Sequence, residues 1–418
     1  PSYRGTLDER HATRGRGNAL RLASTGQLGT GEDARGRPAW DDPETIETLD
    51  LCLSCKACKS ECPSNVDVAK MKAEYTAQRY RAAGRVPLRD RVFGNIDAVS
   101  RLAGAVPAIA NLGMALSRPL ANGVLGLHPE RSLPKFEKPL HRRWWTSPSG
   151  SQLVEQDKQN VDNASPTVLL YADTFTNHNA PGIGLAAKCV LEAFGYRVEL
   201  YRGSDAARAL ISIGMLPQAI RRIDDEAPRL LGRLKGESPS RPVALLFLEP
   251  SCLSAVADDW LGLKCATPEP ARQLVADRSF LVEQFLADRW DEHPRRPTLP
   301  EHPGTIHLHA HCHQKALWGA GSYARVLERS FPGRVLTLAT TSCGLAGSFG
   351  YTRDRFGLSM RIGELGVLPA ARGMAEGDVL VVPGTSCRHQ IKDGVKGGAA
   401  RRALHPVELV AGMLSRVT

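Results

Sequence analysis

The stretch Cys52-Leu53-Ser54-Cys55-Lys56-Ala57-Cys58-Lys59-Ser60-Glu61-Cys62-Pro63 decides how the first part of this chain folds. Its spacing, C-x2-C-x2-C-x3-C-P, is one that binds iron-sulfur clusters. Gaps of two residues let a tight loop wrap three thiolates around one face of a cubane, with backbone N–H groups turned toward the sulfurs. Zinc sites, the alternative, usually present two separated C-x2-C pairs. We therefore predict a 4Fe-4S site whose ligands are Cys52, Cys55, Cys58 and Cys62.

The residues after the cysteine run predict a helix directed at the cluster. Pro63 ends the loop, and Ser64 with Asp67 three residues later forms a capping pattern for a helix over residues 65–81. Such a helix points its positive end at an anionic cluster. A short helix over residues 42–51 is expected to lead into the loop.

A second cluster is a further hypothesis. In proteins with two clusters, the fourth cysteine of each run binds the other cluster. The chain opens with Pro1-Ser2-Tyr3, which echoes Pro63-Ser64-Asn65 after Cys62. We therefore expect a longer parent protein with a cysteine directly before Pro1. That cysteine would complete the cluster of the first three cysteines, and Cys62 would serve the second, so the expected number is one or two 4Fe-4S clusters.

Composition limits the classes to consider. At 418 residues, with 42% hydrophobic and 23% charged residues, the chain is long enough for two or three ordinary domains. The formal charge of +10 accompanies no nucleic-acid motif, so we expect no nucleic-acid partner and assign the charge to docking surfaces. Four of the ten cysteines fall within eleven residues, which favours reduced thiols in a cytoplasmic metalloprotein over secreted disulfides.

The longest uncharged run, residues 102–117, raises the question of a membrane. It is interrupted by Pro107 and Asn111. It is also shorter than the roughly 18 to 20 apolar residues that span a bilayer. We predict a buried helix here, with contact to a membrane surface as the alternative. The expected location is the cytoplasm, and peripheral association with the inner membrane is the second interpretation.

Changes in pattern divide the chain into four parts. A basic N-terminal arm (residues 1–40) is interpreted as solvated or as a docking surface. A helical domain of the bacterial ferredoxin kind (41–141) carries the 4Fe-4S motif, and a polar linker (142–165) follows. The last part (166–418) alternates strands and helices, so the fold class is α plus α/β, with a layered α/β domain at the end. The predicted strands cover residues 167–172, 197–201, 242–248, 305–308, 335–339 and 378–382.

The α/β part repeats itself at an offset of about 136 residues, which gives units 166–300 and 301–418. Val190-Leu191-Glu192 falls on Val326-Leu327-Glu328, and Glu249-Pro250-Ser251-Cys252 falls on Gly384-Thr385-Ser386-Cys387. We interpret this as a duplication in which loops of both units meet at a shared cleft.

Three cysteines of the second unit follow successive predicted strands. Turns after parallel strands open on the same edge of a sheet, so the three thiols are predicted to gather there and to bind a second metal or a smaller cluster. The first unit has Thr174, Ala206 and Cys252 at the aligned positions. The alternative is that each cysteine packs as a small hydrophobe, which is the expectation for Cys189 and Cys265. The predicted ligands are Cys312, Cys343 and Cys387.

Histidines recur around Cys312 with a period of two. On a strand, His307, His309, His311 and His313 would all lie on one face, where they could bind zinc or hold protons. Four metal ligands from one strand are rarer than one or two. We therefore predict only His311 and His313 as metal ligands.

These motifs together resemble the carboxyl-terminal iron-sulfur part of FAD-linked D-2-hydroxyacid dehydrogenases of the D-lactate or D-2-hydroxyglutarate type. The resemblance covers essentially the whole chain, and three of its motifs are far more specific than the cysteine run. The motifs are residues 13–21, the cysteine run with its continuation to residue 67, and the more specific Leu308-His309-Ala310-His311-Cys312-His313-Gln314-Lys315-Ala316-Leu317, Cys343-Gly344-Leu345-Ala346-Gly347-Ser348-Phe349-Gly350-Tyr351 and Ser386-Cys387-Arg388-His389-Gln390.

The resemblance implies a flavin domain, upstream of this chain, that takes hydride from the substrate. This part would then pass electrons one at a time from FAD to a quinone or an electron-carrier protein. The tandem units look like the "CCG" domains of heterodisulfide reductase and glycolate oxidase subunits. Where that pattern has two cysteines before glycine, this chain has Ser342-Cys343-Gly344 and, in the first unit, Asp205-Ala206-Ala207. The departure argues against a non-cubane cluster.

Three functions compete at this stage. The leading hypothesis is an electron-transfer module of a flavin-dependent dehydrogenase, an oxidoreductase. The second is a heterodisulfide-reductase-like thiol/disulfide redox subunit that works through the three thiols of the second unit. The third is a subunit whose duplicated domain only docks partners. The sequence does not distinguish among 2-hydroxyacid substrates or final acceptors.

Overall fold

The chain combines a helical N-terminal part with two parallel sheets. The computed structural model describes residues 1–28, 36–146, 165–235, 242–395 and 403–414. Most of the predicted linker, residues 147–164, lies outside the described residues, as do residues 29–35 of the predicted arm. Helices and parallel strands are both present, as the predicted class α plus α/β requires.

Helices alone build the first part of the chain. They are α1 (Ser2–Thr6), α2 (Thr13–Ser24), α3 (Pro43–Asp50), α4 (Ala57–Glu61), α5 (Val68–Ala82), α6 (Leu88–Gly94), α7 (Ile96–Ala105), α8 (Pro107–Leu116), α9 (Arg118–Val124) and α10 (Leu140–Arg143), with 3-10 turns at Glu9–His11 and Trp144–Thr146.

Helix α5 begins later than the sequence pattern predicts. Asp67, not Ser64, is the capping residue: its Oδ1 accepts hydrogen bonds from the backbone N–H of Ala69 at 2.9 Å and of Lys70 at 3.2 Å. Asn65 has a positive φ of 53°, a conformation that a helix does not continue. The loop after the last cysteine of the run is therefore longer than expected.

The N-terminal arm is part of the helical module, so its interpretation as solvated is wrong for the residues described. Leu20 and Ala23 of α2 are buried in one apolar cluster with Leu49 and Tyr75. Arg16 is buried as well, and its Nε donates to the carbonyl oxygen of Thr48 at 3.2 Å. Apolar residues at helical spacing between the arginines give α2 a face that packs on α3 and α5.

The prediction of a buried helix over residues 102–117 is also wrong. Helix α8 has no buried residue, and the apolar side chains of α7 to α9 are exposed, because no described element covers their outer side. No single described helix is long and apolar enough to cross a bilayer. Helices α7 and α8 together pass that test of length and composition, but they are bent by 117° at their junction.

The first sheet has four parallel strands in the order β2-β1-β3-β4. The three predicted strands of this unit are present, and β4 is additional. Each strand but the second is fully or largely buried and rich in Leu, Val or Phe, as expected when helices cover both faces. The strands are β1 (Thr167–Tyr171), β2 (Arg197–Tyr201), β3 (Ala244–Phe247) and β4 (Ser279–Leu281); the helices are α11 (Thr174–His178), α12 (Pro181–Ala193), α13 (Arg208–Ile213), α14 (Leu216–Lys235), α15 (Pro250–Ser254), α16 (Trp260–Gly262), α17 (Glu269–Asp277) and α18 (Val282–Asp288).

The second sheet has three parallel strands in the order β6-β5-β7, which matches the order β2-β1-β3 of the first sheet. The helix after the first strand of each unit starts at an equivalent cap, Asp173 in one and His311 in the other. This symmetry is what a duplication predicts. The strands are β5 (Ile306–Leu308), β6 (Val335–Thr337) and β7 (Val379–Val381); the helices are α19 (Cys312–Trp318), α20 (Gly321–Ser330), α21 (Arg353–Glu364), α22 (Val367–Arg372), α23 (Thr385–Gly394) and α24 (Pro406–Leu414).

Polar contacts between buried groups join the helical part to both units. Arg131 is 1% exposed, and its Nη1 lies 3.1 Å from Asp393 Oδ2 in the second unit. Thr174 of the first unit donates its hydroxyl to Asp97 Oδ1 at 2.6 Å. Buried polar groups need specific partners, so these contacts fix the orientation of the helical part on the two sheets.

Candidate functional site

The cysteine loop has an unusual backbone that turns its N–H groups toward sulfur. Ser54 and Lys56 have positive φ angles of 52° and 63°, and α4 begins directly after Lys56. The Ser54 N–H lies 3.5 Å from Cys52 Sγ, and the Ala57 N–H donates to the Cys55 sulfur. Alternating backbone conformations of this kind form concave anion sites.

The first three thiols of the run act on one another. Burial raises the pKa of Cys55, and the charges of Cys52 and Cys58 raise it further. Burial also raises the pKa of Cys58, whose sulfur accepts the backbone N–H groups of Val68 and Ala69. A buried, N–H-rich group of thiols fits an iron-sulfur cluster, because the iron supplies the positive charge that thiolates on their own lack. Cys62 follows at the C-terminal end of α4, with its N–H bonded to the Cys58 carbonyl at 3.1 Å.

Pro1 lies beside this loop. Its backbone nitrogen lies near the Cys55 sulfur. The Ser2 hydroxyl, which is buried, donates to the carbonyl oxygen of Leu51, next to the first cysteine of the run. The hypothesis of a ligand cysteine before Pro1 stays a prediction.

In the second unit, the three cysteines follow the three parallel strands. Cys312 is the first residue of α19 after β5, Cys343 follows β6, and Cys387 lies in the first turn of α23 after β7. Gly344 has a φ of 90°, and a side chain there would meet the Ser359 carbonyl oxygen at 2.2 Å, so the Cys343 loop needs glycine. In that loop, Leu345 and Ala346 donate their N–H groups to the Cys343 sulfur.

Two of these thiols act strongly on each other. The interaction with Cys387 lowers the pKa of Cys343, and the interaction with Cys343, together with burial, raises the pKa of Cys387. Burial raises the pKa of Cys312, and the neighbouring Cys55 and Cys343 contribute. The three predicted ligands of the second unit therefore lie at one sheet edge, with Cys55 of the first motif near Cys312, although within the described residues no three of these ligand atoms lie within 4.8 Å of one another.

His313 joins the two groups of thiols. Its Nδ1 lies 2.6 Å from the Ser254 hydroxyl in the first unit, and its Nε2 lies 2.9 Å from the Ser54 carbonyl oxygen in the cysteine loop. Both ring nitrogens are therefore engaged by protein atoms. The predicted role of His313 as a metal ligand would require that one of these hydrogen bonds be given up.

The four histidines do not share one strand face, and that prediction is wrong. Strand β5 ends at Leu308, and α19 begins at Cys312, so the period of two ends after His307. His307 pairs with Asp378, and His309 lies 2.6 Å from the Thr340 hydroxyl. His311 caps α19 through Nδ1, and its Nε2 lies 3.9 Å from Glu249 Oε1, beyond hydrogen-bond distance. His311 and His313 are the two predicted metal ligands. Among the described residues, none forms a hydrogen bond with Nε2 of His311, whereas both ring nitrogens of His313 are engaged.

Lysines surround the thiols. Lys315 lies near Cys312, Cys343, Cys387 and Cys55, whose charges raise its pKa, although burial lowers it overall. Its ammonium group donates to the carbonyl oxygens of Thr340 and Thr341. Such a charge stabilises an anionic group bound by the thiols.

Lys56, inside the cysteine loop, is almost completely buried by the first unit. Its Nζ lies 2.6 Å from Asp258 Oδ2, 2.7 Å from Asp259 Oδ1 and 3.3 Å from Asp67 Oδ2. Against the effect of burial, these lysine contacts hold the pKa of Asp258 well below its usual range. Within the described residues, Asp67, Asp258 and Asp259 are also the three ligand-type side chains whose oxygens all lie within 4.8 Å of one another. Their cation is the Lys56 ammonium group.

Sequence reasoning missed several residues of this site. Glu249 links the two units: it accepts the Ser251 hydroxyl at 2.9 Å and the Thr385 N–H at 2.9 Å. In the sequence, the one indication of a role for Glu249 was its alignment with Gly384: the first unit has a carboxylate where the second unit has none. Asp258 and Asp259 lie on a π-helical turn, Ala255–Asp259, a local irregularity often found at functional sites.

A cavity of about 570 Å³ opens beside the thiols. Cys52, Cys312 and Cys343 line part of its wall, and residues of α6, α7 and α8 line another part. A cavity with an apolar wall and a few convergent polar groups is the usual form of a small-molecule site.

Comparisons with known proteins identify dehydrogenases among the relatives. The chain is 27% identical over 364 residues to one of the subunits of the anaerobic glycerol-3-phosphate dehydrogenase of Escherichia coli (strain K12), an alignment that covers 84% of this chain and 83% of that one. It is 24% identical over 373 residues to D-2-hydroxyglutarate dehydrogenase of the same organism. The same enzyme of Pseudomonas putida is 24% identical over 445 aligned positions.

The coverage of these relatives is uneven. The alignment with the E. coli D-2-hydroxyglutarate dehydrogenase covers 87% of this chain but 34% of the relative, and the P. putida alignment covers 98% and 41%. No family model matches the chain, and no solved structure matches it significantly. These relatives support the predicted class of oxidoreductase and the likeness to D-2-hydroxyglutarate dehydrogenases.

Proposed function

We propose that this chain is the iron-sulfur electron-transfer module of a flavin-dependent dehydrogenase of a D-2-hydroxyacid, D-lactate or D-2-hydroxyglutarate. One observation carries the proposal: the cysteine loop lies against the three thiols of the second unit, with Cys55 next to Cys312 and His313 bonded to Ser54. Clusters bound by two adjacent and partly enclosed groups of thiols would exchange single electrons over a short distance. When bound, an iron-sulfur cluster supplies the one-electron steps that a thiol alone does not.

The residues divide the work as follows. Cys52, Cys55, Cys58 and Cys62 hold the ferredoxin-type cluster or clusters, and Cys312, Cys343 and Cys387, with His311 or His313, hold a second metal or cluster. Lys315 places positive charge between the two groups, and backbone N–H groups stabilise the sulfurs. His313 holds the two groups together because it follows Cys312 in the chain and its Nε2 lies 2.9 Å from the Ser54 carbonyl oxygen of the cysteine loop.

The partners follow from the relatives. D-2-hydroxyglutarate dehydrogenases are longer than this chain, and the name of the glycerol-3-phosphate dehydrogenase relative describes it as a subunit. We propose that an FAD-binding domain or subunit delivers the electrons and that a quinone or an electron-carrier protein accepts them. All ten cysteines are unpaired, which favours the reducing cytoplasm, and we propose a peripheral position at the inner membrane.

The proposal is tested on protein purified without oxygen and loaded with iron and sulfide. We expect bound iron, about four or about eight atoms of it in the ferredoxin-type module, and an EPR signal after reduction. Cys55→Ala should remove that signal, whereas Cys189→Ala, which changes another buried thiol away from both groups, should retain it. In the presence of the flavin part, Cys55→Ala should leave flavin reduction by substrate intact and stop transfer to the acceptor. Wild-type protein without iron and sulfide would contradict the proposal.

The mutual influence of the Cys343 and Cys387 thiols on each other's pKa, at one sheet edge, favours a second candidate, a thiol/disulfide redox subunit. In that reaction the two thiols would lose two protons and two electrons and form a disulfide, and one-electron clusters held by the cysteine loop would take the two electrons in separate steps. The candidate predicts that Cys343→Ala stops catalysis while the ferredoxin-type EPR signal remains. If Cys343→Ala retains turnover, this candidate is excluded.

A further inference from the structure

The outer side of α7, α8 and α9 is an exposed apolar surface. Leu102 is 77% exposed, Ile109 70%, Leu116 74% and Leu120 68%. These side chains come from three helices that are consecutive along the chain, so exposed apolar residues are concentrated in one segment. Such a concentration marks an interaction site.

Basic and aromatic residues surround this surface. Arg101 and Arg118 bracket residues 102–117, which carry no charge. Asn111 of α8 bonds to Phe136 through both backbone groups, which brings the exposed segment with Lys135 and Lys138 alongside α8. Of the seven Lys and Arg residues between positions 99 and 146, all but Arg131, which is buried against Asp393, are at least partly exposed, and the same stretch has two Glu residues. The exposed charges of this stretch are therefore mostly positive.

A tryptophan completes the rim. The guanidinium group of Arg142 donates to the Ala105 carbonyl at the end of α7, at 3.4 Å, and Trp145, three residues on, is 85% exposed. An apolar helix face with lysine, arginine and tryptophan at its edges is typical of segments that lie in the interface of an anionic bilayer. The bend of 117° between α7 and α8 suits helices that lie along a surface.

The inner side of α7 and α8 lines the cavity that reaches the thiols. Val99 and Met114 line the cavity together with Cys312 and Cys343. Val99 is also 38% exposed, so it belongs both to the cavity wall and to the apolar surface. The surface and the cavity therefore adjoin each other at Val99. A site that only docks a protein does not require such a connection, whereas a site that a molecule enters from the lipid does.

We infer that the outer surface of α7 to α9 docks on an anionic lipid bilayer and that the cavity behind it admits a lipid-soluble quinone from that bilayer. This inference rests on the proposed electron-transfer function, of which it names the acceptor. The quinone takes two electrons, one at a time, from the reduced module and two protons from water, and it leaves as the quinol. The helices bring the mouth of the cavity to the depth at which the quinone is dissolved.

Vesicle flotation tests the docking surface. The full chain, loaded with iron and sulfide, is mixed with vesicles of phosphatidylglycerol and phosphatidylcholine or of phosphatidylcholine alone. We expect flotation with the anionic vesicles that weakens with salt, and at least about tenfold weaker partition for Ile109→Gln/Leu112→Gln/Leu116→Gln. The control is Leu336→Gln/Leu365→Gln, which changes two exposed leucines of the second unit and should float like the wild type.

Fluorescence gives a readout that does not depend on the triple variant. Trp145 emission should be quenched by brominated lipid, and the difference between wild type and Trp145→Phe isolates it from the other tryptophans. The inference is overturned if the wild type does not float, if the triple variant floats equally well, or if brominated lipid leaves Trp145 unchanged. It is also overturned if the apolar surface instead forms a dimer of this chain or is covered by the flavin part.

The cavity is tested with two acceptors. Reduced protein bound to vesicles is oxidised either by a short-chain quinone or by ferricyanide, which stays in water. Val99→Trp narrows the cavity, so it should slow oxidation by the quinone several-fold and leave oxidation by ferricyanide unchanged. Equal effects on both acceptors, or on neither, would exclude the cavity as the quinone site. Failure of the docking inference leaves the EPR signal intact, whereas failure of the proposed function removes the signal itself.

Discussion

Lys56 Nζ lies 2.7 Å from Asp259 Oδ1, and the lysine is 1% exposed and the aspartate 4%. Lys56 stands between two cysteines of the cluster loop, and Asp259 belongs to the first α/β unit. A charge from the loop is therefore neutralised by a domain about 200 residues away along the chain. The ion pair makes the position of the loop depend on the fold of that unit.

Replacing Lys56 by Met should destabilise the protein strongly. The change removes one buried counter-charge from Asp258 and Asp259. Leaving a buried charge unpaired costs about 3–5 kcal/mol, which is the upper limit here because Lys59, Lys70 and Arg208 remain as partners. Arg325→Met is the control, because the pair of Arg325 with Asp288 is about half exposed and should contribute about 0–1 kcal/mol. Urea unfolding followed by circular dichroism measures the difference. Equal midpoints for the two variants would contradict the prediction.

Replacing His313 by Ala should loosen the cysteine loop. The Ser54 carbonyl and the Ser254 hydroxyl each lose a hydrogen bond, and an unsatisfied buried group costs about 1–3 kcal/mol. Amide hydrogen exchange of residues 52–58 should become faster. His302→Ala is a matched control, since both histidines are 7% exposed and His302 bonds only within its own turn, to Gly304. Unchanged exchange in His313→Ala would show that the bridge is not needed.

The contribution of Glu283 to the free energy of unfolding should fall as the pH rises from about 5 to about 8. Burial raises the pKa of this carboxyl from 4.5 to about 8 in the folded state. In that range the folded state holds the proton and the unfolded state does not, so each pH unit removes up to about 1.4 kcal/mol of unfolding free energy. Glu283→Gln should flatten the dependence, whereas Glu364→Gln, at an exposed position, should not. Melting temperatures across this pH range measure the effect, and parallel curves for Glu283→Gln and wild type would refute it.

Replacing Lys315 by Met should make the reduction potential of the module more negative. The ammonium group lies near four thiols, and its positive charge favours the more negative, reduced state of any group that they bind. A redox titration followed by EPR measures the shift. Lys392→Met, which removes a charge of the same sign from an exposed position in the same unit, should change the potential less. An equal shift of the reduction potential in both variants would contradict the prediction, because the potential would then depend on the net charge of the protein and not on the position of Lys315.

Local sequence patterns predicted much of the fold. The six strand positions proposed from runs of β-branched residues and leucine all contain a strand, since buried parallel strands are nearly continuous apolar runs. The strand β4 was missed because Ser279–Leu281 is too short to give a pattern. The exposure of α8 was missed because an apolar helix has the same sequence pattern whether protein or lipid covers it.

The sequence by itself determined the identity of the thiols and their grouping. Spacing within twelve residues fixes which cysteines share a loop, and the position of a cysteine after a parallel strand fixes the sheet edge at which it lies. Only the tertiary structure decided that Cys55 lies near Cys312, that both nitrogens of His313 are engaged, and that Lys56 is neutralised by Asp258 and Asp259. Most of these contacts join segments roughly 200 residues or more apart, and their geometry depends on how whole domains pack, which no local pattern encodes.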